Sequence, residues 1–169
     1  MKNKITFRLF LLFNILNLIS INAYTKTTNS NTYYFGSPRT LPTSIVGFSA
    51  YNDFGGHRYF KSTTLKTWKQ AAKIADSLGG YLAIPNSEAE QTFIASYVGS
   101  DFHWLGLTDE KTEGTWLDIL GNTLNYLKWD AGQPDNYGDE DYIHTRNGGW
   151  NDAPDSYILN FVRFLLCWR

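Results

Sequence analysis

Gln133-Pro134-Asp135-Asn136-Tyr137-Gly138-Asp139-Glu140-Asp141, followed after a short gap by Gly149-Trp150-Asn151-Asp152, is the stretch on which the fold turns. Its polar side chains offer amide and carboxylate oxygens, with no sulfur and no imidazole. Oxygen-only donor sets suit Ca²⁺, which takes about six to eight such ligands, whereas Zn²⁺ favours nitrogen and sulfur. A Gln-Pro-Asp tripeptide by itself reads as a turn. The Asn151-Asp152 pair downstream supplies further donors of the same kind and favours a metal-holding loop.

Working outward, Asp130 to Gly149 is dense in Gly, Pro, Asn and Asp, which marks irregular backbone. Irregular segments of that length usually carry function. Short strands are expected on both sides: Trp104 to Leu107, Trp116-Leu117 and Tyr126 to Trp129 before the loop or at its edge, then Tyr142 to His144 and Ile158 to Leu166. Further upstream, Thr67 with Gln70 forms a capping box. Trp68, Ala71, Ala72, Ala75 and Leu78 then repeat at helical spacing until Gly79-Gly80. Ser87 with Glu90 opens a second helix, running to about Val98 and stopped by Gly99. His57 to Phe60 and Tyr81 to Ile84 complete the strands. The class is α+β, with two early helices, short antiparallel strands and one long loop.

The chain has 169 residues, enough for one domain with a leader and a linker. Residues 1–23 read as a secretory signal peptide: Lys2, Lys4 and Arg8, an apolar run from Leu9 to Ile21, and a small residue at Ala23. The run is short for a spanning helix, so membrane attachment is expected only through an uncleaved leader. Residues 24–47, rich in Thr, Asn and Ser, read as a linker that buries too little to order itself. Residues 48–169 form the domain.

The formal net charge of −1 becomes −4 once the three basic residues of the leader are removed. Asp101 to Asp155 holds twelve acids against Lys111, Lys128 and Arg146, which argues against nucleic acid as a partner and for cations. With Cys167 the only cysteine, no internal disulfide can form.

The ordered set of Thr67-Trp68, Leu78-Gly79-Gly80, Trp104 to Asp109, Glu113-Gly114, Trp116, Trp129, Gln133-Pro134-Asp135, Glu140-Asp141 and Gly149 to Asp152 resembles the C-type lectin-like domain, over roughly Gly56 to Arg163. The family usually has two disulfides. The matching positions here are Ala75 with Arg163 and Tyr142 with Asp155, so the resemblance implies a disulfide-free variant.

The resemblance also implies a site. Gln133, Asp135, Glu140, Asn151 and Asp152 would hold the sugar-binding Ca²⁺, Asp152 adding its backbone carbonyl, and two adjacent sugar hydroxyls would fill the open positions. A cis peptide before Pro134 is implied too. Gln133 before Asp135 resembles the galactose-type order, with Tyr137 as the ring that stacks on the sugar. Asp109, Glu113, Asn136, Glu140 and Asp141 match an auxiliary Ca²⁺ site.

The function so implied is calcium-dependent binding of glycans or glycoconjugates by a secreted or cell-surface, non-catalytic protein. The oligomeric state stays open. The alternative is an adhesive or structural domain without sugar recognition, since fold alone does not fix function. An enzyme is the least favoured reading. Asp135 and Glu140 could serve as a carboxylate pair, but they look committed to a metal. His57, His103 and His144 belong to no catalytic motif.

Overall fold

The structure, a computed structural model, describes residues 24–28, 31–35 and 41–166. The expected leader and Cys167 lie outside the described residues. Two units organise separately, dividing after Pro38. In the first, β1 (Tyr24–Thr28) pairs antiparallel with β2 (Asn31–Phe35), Tyr24 opposite Phe35. A linker without order was expected here. Thr and Tyr, frequent in these two strands, favour extended backbone. Residues 41 and 42, also within the expected linker, belong to the second unit, where their carbonyls accept from the Arg58 guanidinium at 3.2 and 3.1 Å.

The second unit begins with β3 (Asn52–Phe54) and β4 (His57–Lys61). Helix α1 (Trp68–Ser77) starts at Thr67, whose side chain accepts from the Gln70 N–H while the Gln70 side chain returns to the Thr67 N–H. Its buried face is Trp68, Ala71 and Ala75; Leu78, expected on that face, is the exposed C-cap. After β5 (Tyr81–Leu82), α2 (Glu88–Val98) begins at Ser87, which accepts from the Glu90 N–H at 3.3 Å. The box there is half-formed. The Glu90 carboxylate instead accepts from the Tyr59 hydroxyl at 2.5 Å and the Asn86 N–H at 3.1 Å. A buried carboxylate needs those donors.

Strands β6 (His103–Thr108), β7 (Leu117–Asp118), β8 (Tyr142–Arg146), β9 (Gly149–Ala153) and β10 (Asn160–Leu166) follow. The main sheet runs β3-β4-β10-β6-β8-β9, with β5 on β10 and β7 on β6. All pairs are antiparallel except β10 with β6. The expected strand Tyr126 to Trp129 does not form. Tyr126 and Trp129 instead set their rings edge-on to Trp150, at 5.6 and 6.1 Å, and only Trp129 bridges to β9.

Two apolar clusters make the core. One gathers Tyr59, Ile94, Leu105, Leu107, Ile143 and Trp150, the other Trp68, Leu82, Trp104, Tyr142 and Phe161. The buried indoles each find an acceptor: Trp68 the Leu105 carbonyl, Trp104 the Lys66 carbonyl and Trp150 the Gln91 side chain. Gly106 is obligatory for packing, because a Cβ there would lie 2.6 Å from the Leu82 carbonyl oxygen.

At the four positions where the resemblance implies cysteines, three of the side chains make other contacts with α1 or its C-cap, and the fourth, Ala75, lies within it. The Tyr142 ring lies tilted against Trp68, centroids 4.7 Å apart, and the Asp155 carboxylate accepts from the Lys69 N–H at 2.9 Å, in the first turn of α1. An acid there also meets the positive end of the helix dipole. Ala75 is buried, and Arg163 donates to the Leu78 carbonyl at the end of α1.

Candidate functional site

The site is assembled from one loop and one strand. Asp152, fully buried on β9, accepts from two loop amides: Asp135 N–H at 3.3 Å and Asn136 N–H at 2.9 Å. Glu140 is only 8% exposed and accepts from the Tyr137 N–H at 3.2 Å, while its own N–H donates to Asn136 Oδ1 at 2.7 Å. Asn136 and Asp139 have positive φ, 45° and 76°, conformations that Asn and Asp adopt more readily than most residues. The Gln133–Pro134 peptide is cis, as the resemblance implies.

This scaffold brings Asp135, Glu140 and Asp152 together, with one carboxylate oxygen from each lying within 4.8 Å of the others. The Gln133 amide joins them through Nε2, 3.4 Å from Asp135. Its Oε1 is buried with no hydrogen-bond partner. None of the ion pairs among the described residues involves these acids. Burial, then the charges of Asp152 and Asp135, push the Glu140 carboxyl up to about 7. Clustered carboxylates and an orphaned amide oxygen form a donor set that fits a hard cation.

A second group gathers Asp109, Glu113 and Asp141, again with oxygens within 4.8 Å. Asp109 is buried. Its Oδ2 accepts from the Gly114 N–H at 2.8 Å, while Oδ1 has no partner. Burial above all, with Glu113 and Asp141 nearby, raises its carboxyl to about 6, and burial raises Asp141 as well. Of the other residues matched to this group, the Glu140 carboxylate lies in the first cluster, and Asn136 Oδ1 fastens the loop.

Tyr137 is 85% exposed beside the first cluster, while Trp150 is buried in the core. His103 and His144 are buried strand residues; burial lowers both imidazoles below their ordinary value. Two neighbours of Asn151 were missed from sequence. The Arg146 guanidinium donates to Asn151 Oδ1 at 2.5 Å, and His144 Nε2 lies 3.2 Å from Asn151 Nδ2. The signal for them was Asn147-Gly148, a two-residue hairpin turn that sets Arg146 opposite Gly149 and His144 opposite Asn151.

The profile of the family described as Lectin C-type domain matches residues 64–162, the part of the chain that carries both clusters. The chain belongs to the C-type lectin family. Among similar proteins, mouse C-type lectin domain family 4 member F is 39% identical over 108 residues, covering 59% of this chain and 20% of that protein. Mouse CD209 antigen-like protein A is 36% identical over 104 residues, covering 59% and 44%. The chain thus spans less than half the length of these relatives. Among solved structures, the mouse scavenger receptor C-type lectin carbohydrate-recognition domain aligns with a TM-score of 0.67 at 31% identity, covering 70% of this chain and 96% of that one. The C-type lectin CEL-I from Cucumaria echinata gives 0.64 at 29% identity, covering 75% and 100%. The α+β class, with two helices against a mixed sheet, is the fold these lectins share with this chain. Among the described residues, no helix is long and apolar enough to cross a membrane.

Proposed function

We propose that this C-type lectin binds glycans through Ca²⁺ held by Gln133, Asp135, Glu140, Asn151 and Asp152, and does so without catalysis. The observation that carries the reading is the trio Asp135, Glu140 and Asp152 beside the unpartnered Gln133 oxygen. When bound, Ca²⁺ supplies open coordination positions to two neighbouring sugar hydroxyls. Around them, Asp135 and Glu140 accept hydroxyl protons, while the amides of Gln133 and Asn151 donate to hydroxyl oxygens. Buried Asp152 fixes the loop through contacts with the Asp135 and Asn136 N–H groups, so the loop carrying Asp135 is placed before the sugar arrives.

Galactose is the proposed preference, from Gln133 preceding Asp135, with the exposed Tyr137 ring covering the apolar face of the sugar. Asp109, Glu113 and Asp141 hold a second Ca²⁺ that braces the loop. The leader directs the protein out of the cell. Retention on immobilised galactose in calcium, with release by EDTA, is the expected result. A chromatogram without retention, joined to silence on a broad glycan array in calcium, would favour an adhesive domain with no sugar recognition.

A further inference from the structure

Asn151 is the one proposed ligand whose amide is already committed on both sides, and its partners fix which way it faces. Arg146 is a donor only, so the atom against it must be the amide oxygen. His144 Nδ1 lies 2.9 Å from the Thr145 carbonyl, which only accepts. Nδ1 therefore carries the proton, and Nε2 is left as an acceptor for the Asn151 NH₂. The same NH₂ donates to the backbone carbonyl of Asp152. The amide thus turns its nitrogen toward the Asp152 carbonyl and its oxygen toward Arg146.

Coordination asks for the opposite. The Asn151 oxygen would have to join the Asp152 carbonyl, which calls for a half-turn of the amide. That turn removes the Arg146 bond, sets the NH₂ against a guanidinium, and leaves the Nε2 acceptor without its donor. Arg146 is in turn steadied from outside. Its Nε lies 3.4 Å from the Asp130 carboxylate, which also accepts from Asn147 at 3.0 Å.

We infer that Arg146 is a latch on Asn151, a positioning residue that holds the amide turned away in the metal-free protein and so weakens cation binding at this site. The inference rests on the function proposed above. Its physical basis is a charge-assisted hydrogen bond that must open before the ligand set is complete. The guanidinium charge beside the site acts in the same direction.

The test is calorimetric titration of Ca²⁺ into the full chain and into Arg146→Met, which keeps an unbranched apolar stem and removes the guanidinium donors. Binding about tenfold tighter in the variant is expected. A gain of affinity is not an outcome that structural damage produces. In EDTA, the Asn151 side-chain NH₂ resonances should also shift in the variant. Unchanged or weaker Ca²⁺ binding by a variant that melts like the parent overturns the latch while leaving the proposed function standing. Uptake by the variant but not the parent supports it strongly. Uptake by neither overturns both.

Discussion

Replacing Glu140 with Gln should make the metal-free protein more stable while abolishing its binding. Glu140 is nearly buried, and its carboxyl is pushed from 4.5 up to about 7 by burial and by Asp152 and Asp135. For an acid, a raised folded-state value means that ionisation costs more in the folded chain than in the unfolded one. The penalty is in full force above the folded value. It fades as pH falls through 7 and is gone below about 4.5, where both states are protonated. The shift corresponds to about 3 kcal/mol at pH 8, which solvent screening trims to about 2 kcal/mol. Glutamine carries no charge and keeps an oxygen for the Tyr137 N–H. In EDTA at pH 8, Glu140→Gln should therefore melt about 6 °C above the parent, and the gap should shrink to a degree or two at pH 5. The buried imidazoles of His103 and His144 lose stability on acidification, since the unfolded chain takes up their protons first. That loss is common to both proteins and cancels in the difference. Scanning calorimetry of both at the two pH values makes the comparison. Equal melting at pH 8, or a less stable variant, would refute the claim that these carboxylates crowd one another without a counter-ion.

The reverse order, an acid before the proline and an amide after it, resembles the mannose type of the family, so Gln133→Glu and Asp135→Asn together should move retention from galactose to mannose columns while calcium uptake persists. Gly106→Ala should cost about 3 kcal/mol or prevent folding, because the new methyl meets backbone at the Leu82 carbonyl; urea unfolding reads the cost. Asp155→Ala removes the acceptor for the Lys69 N–H and should lower stability by about 1 kcal/mol by the same assay. Asp109→Asn should leave sugar binding measurable but reduce the calcium stoichiometry in calorimetry.

The features that were legible in the chain were local ones. Thr67 with Gln70 and Gly79 bound α1 through contacts a few residues apart. The same logic failed at Ser87, because Glu90 answers to Tyr59, 31 residues away, and no local rule reports that. Gln133 and Asp135 stood out as an amide and an acid on either side of Pro134, and Glu140 and Asp152 as oxygen donors of the same kind downstream; their grouping around one ion was implied by the family resemblance. The strand carrying Asn151 and Asp152 was read as a motif only, since these polar residues obscure the period-two pattern expected of a strand. The parallel join of β10 to β6, Asn160 opposite His103, has no local signature at all.

With one cysteine in the whole chain, α1 is tied to β10 by Arg163 reaching the Leu78 carbonyl, and to the segment after β9 by Asp155. Such ties form without an oxidant and survive reductants. The recognition surface is therefore portable to compartments where thiols stay reduced, whether as a bacterial cytosolic product, an intracellular fusion or a starting point for laboratory evolution.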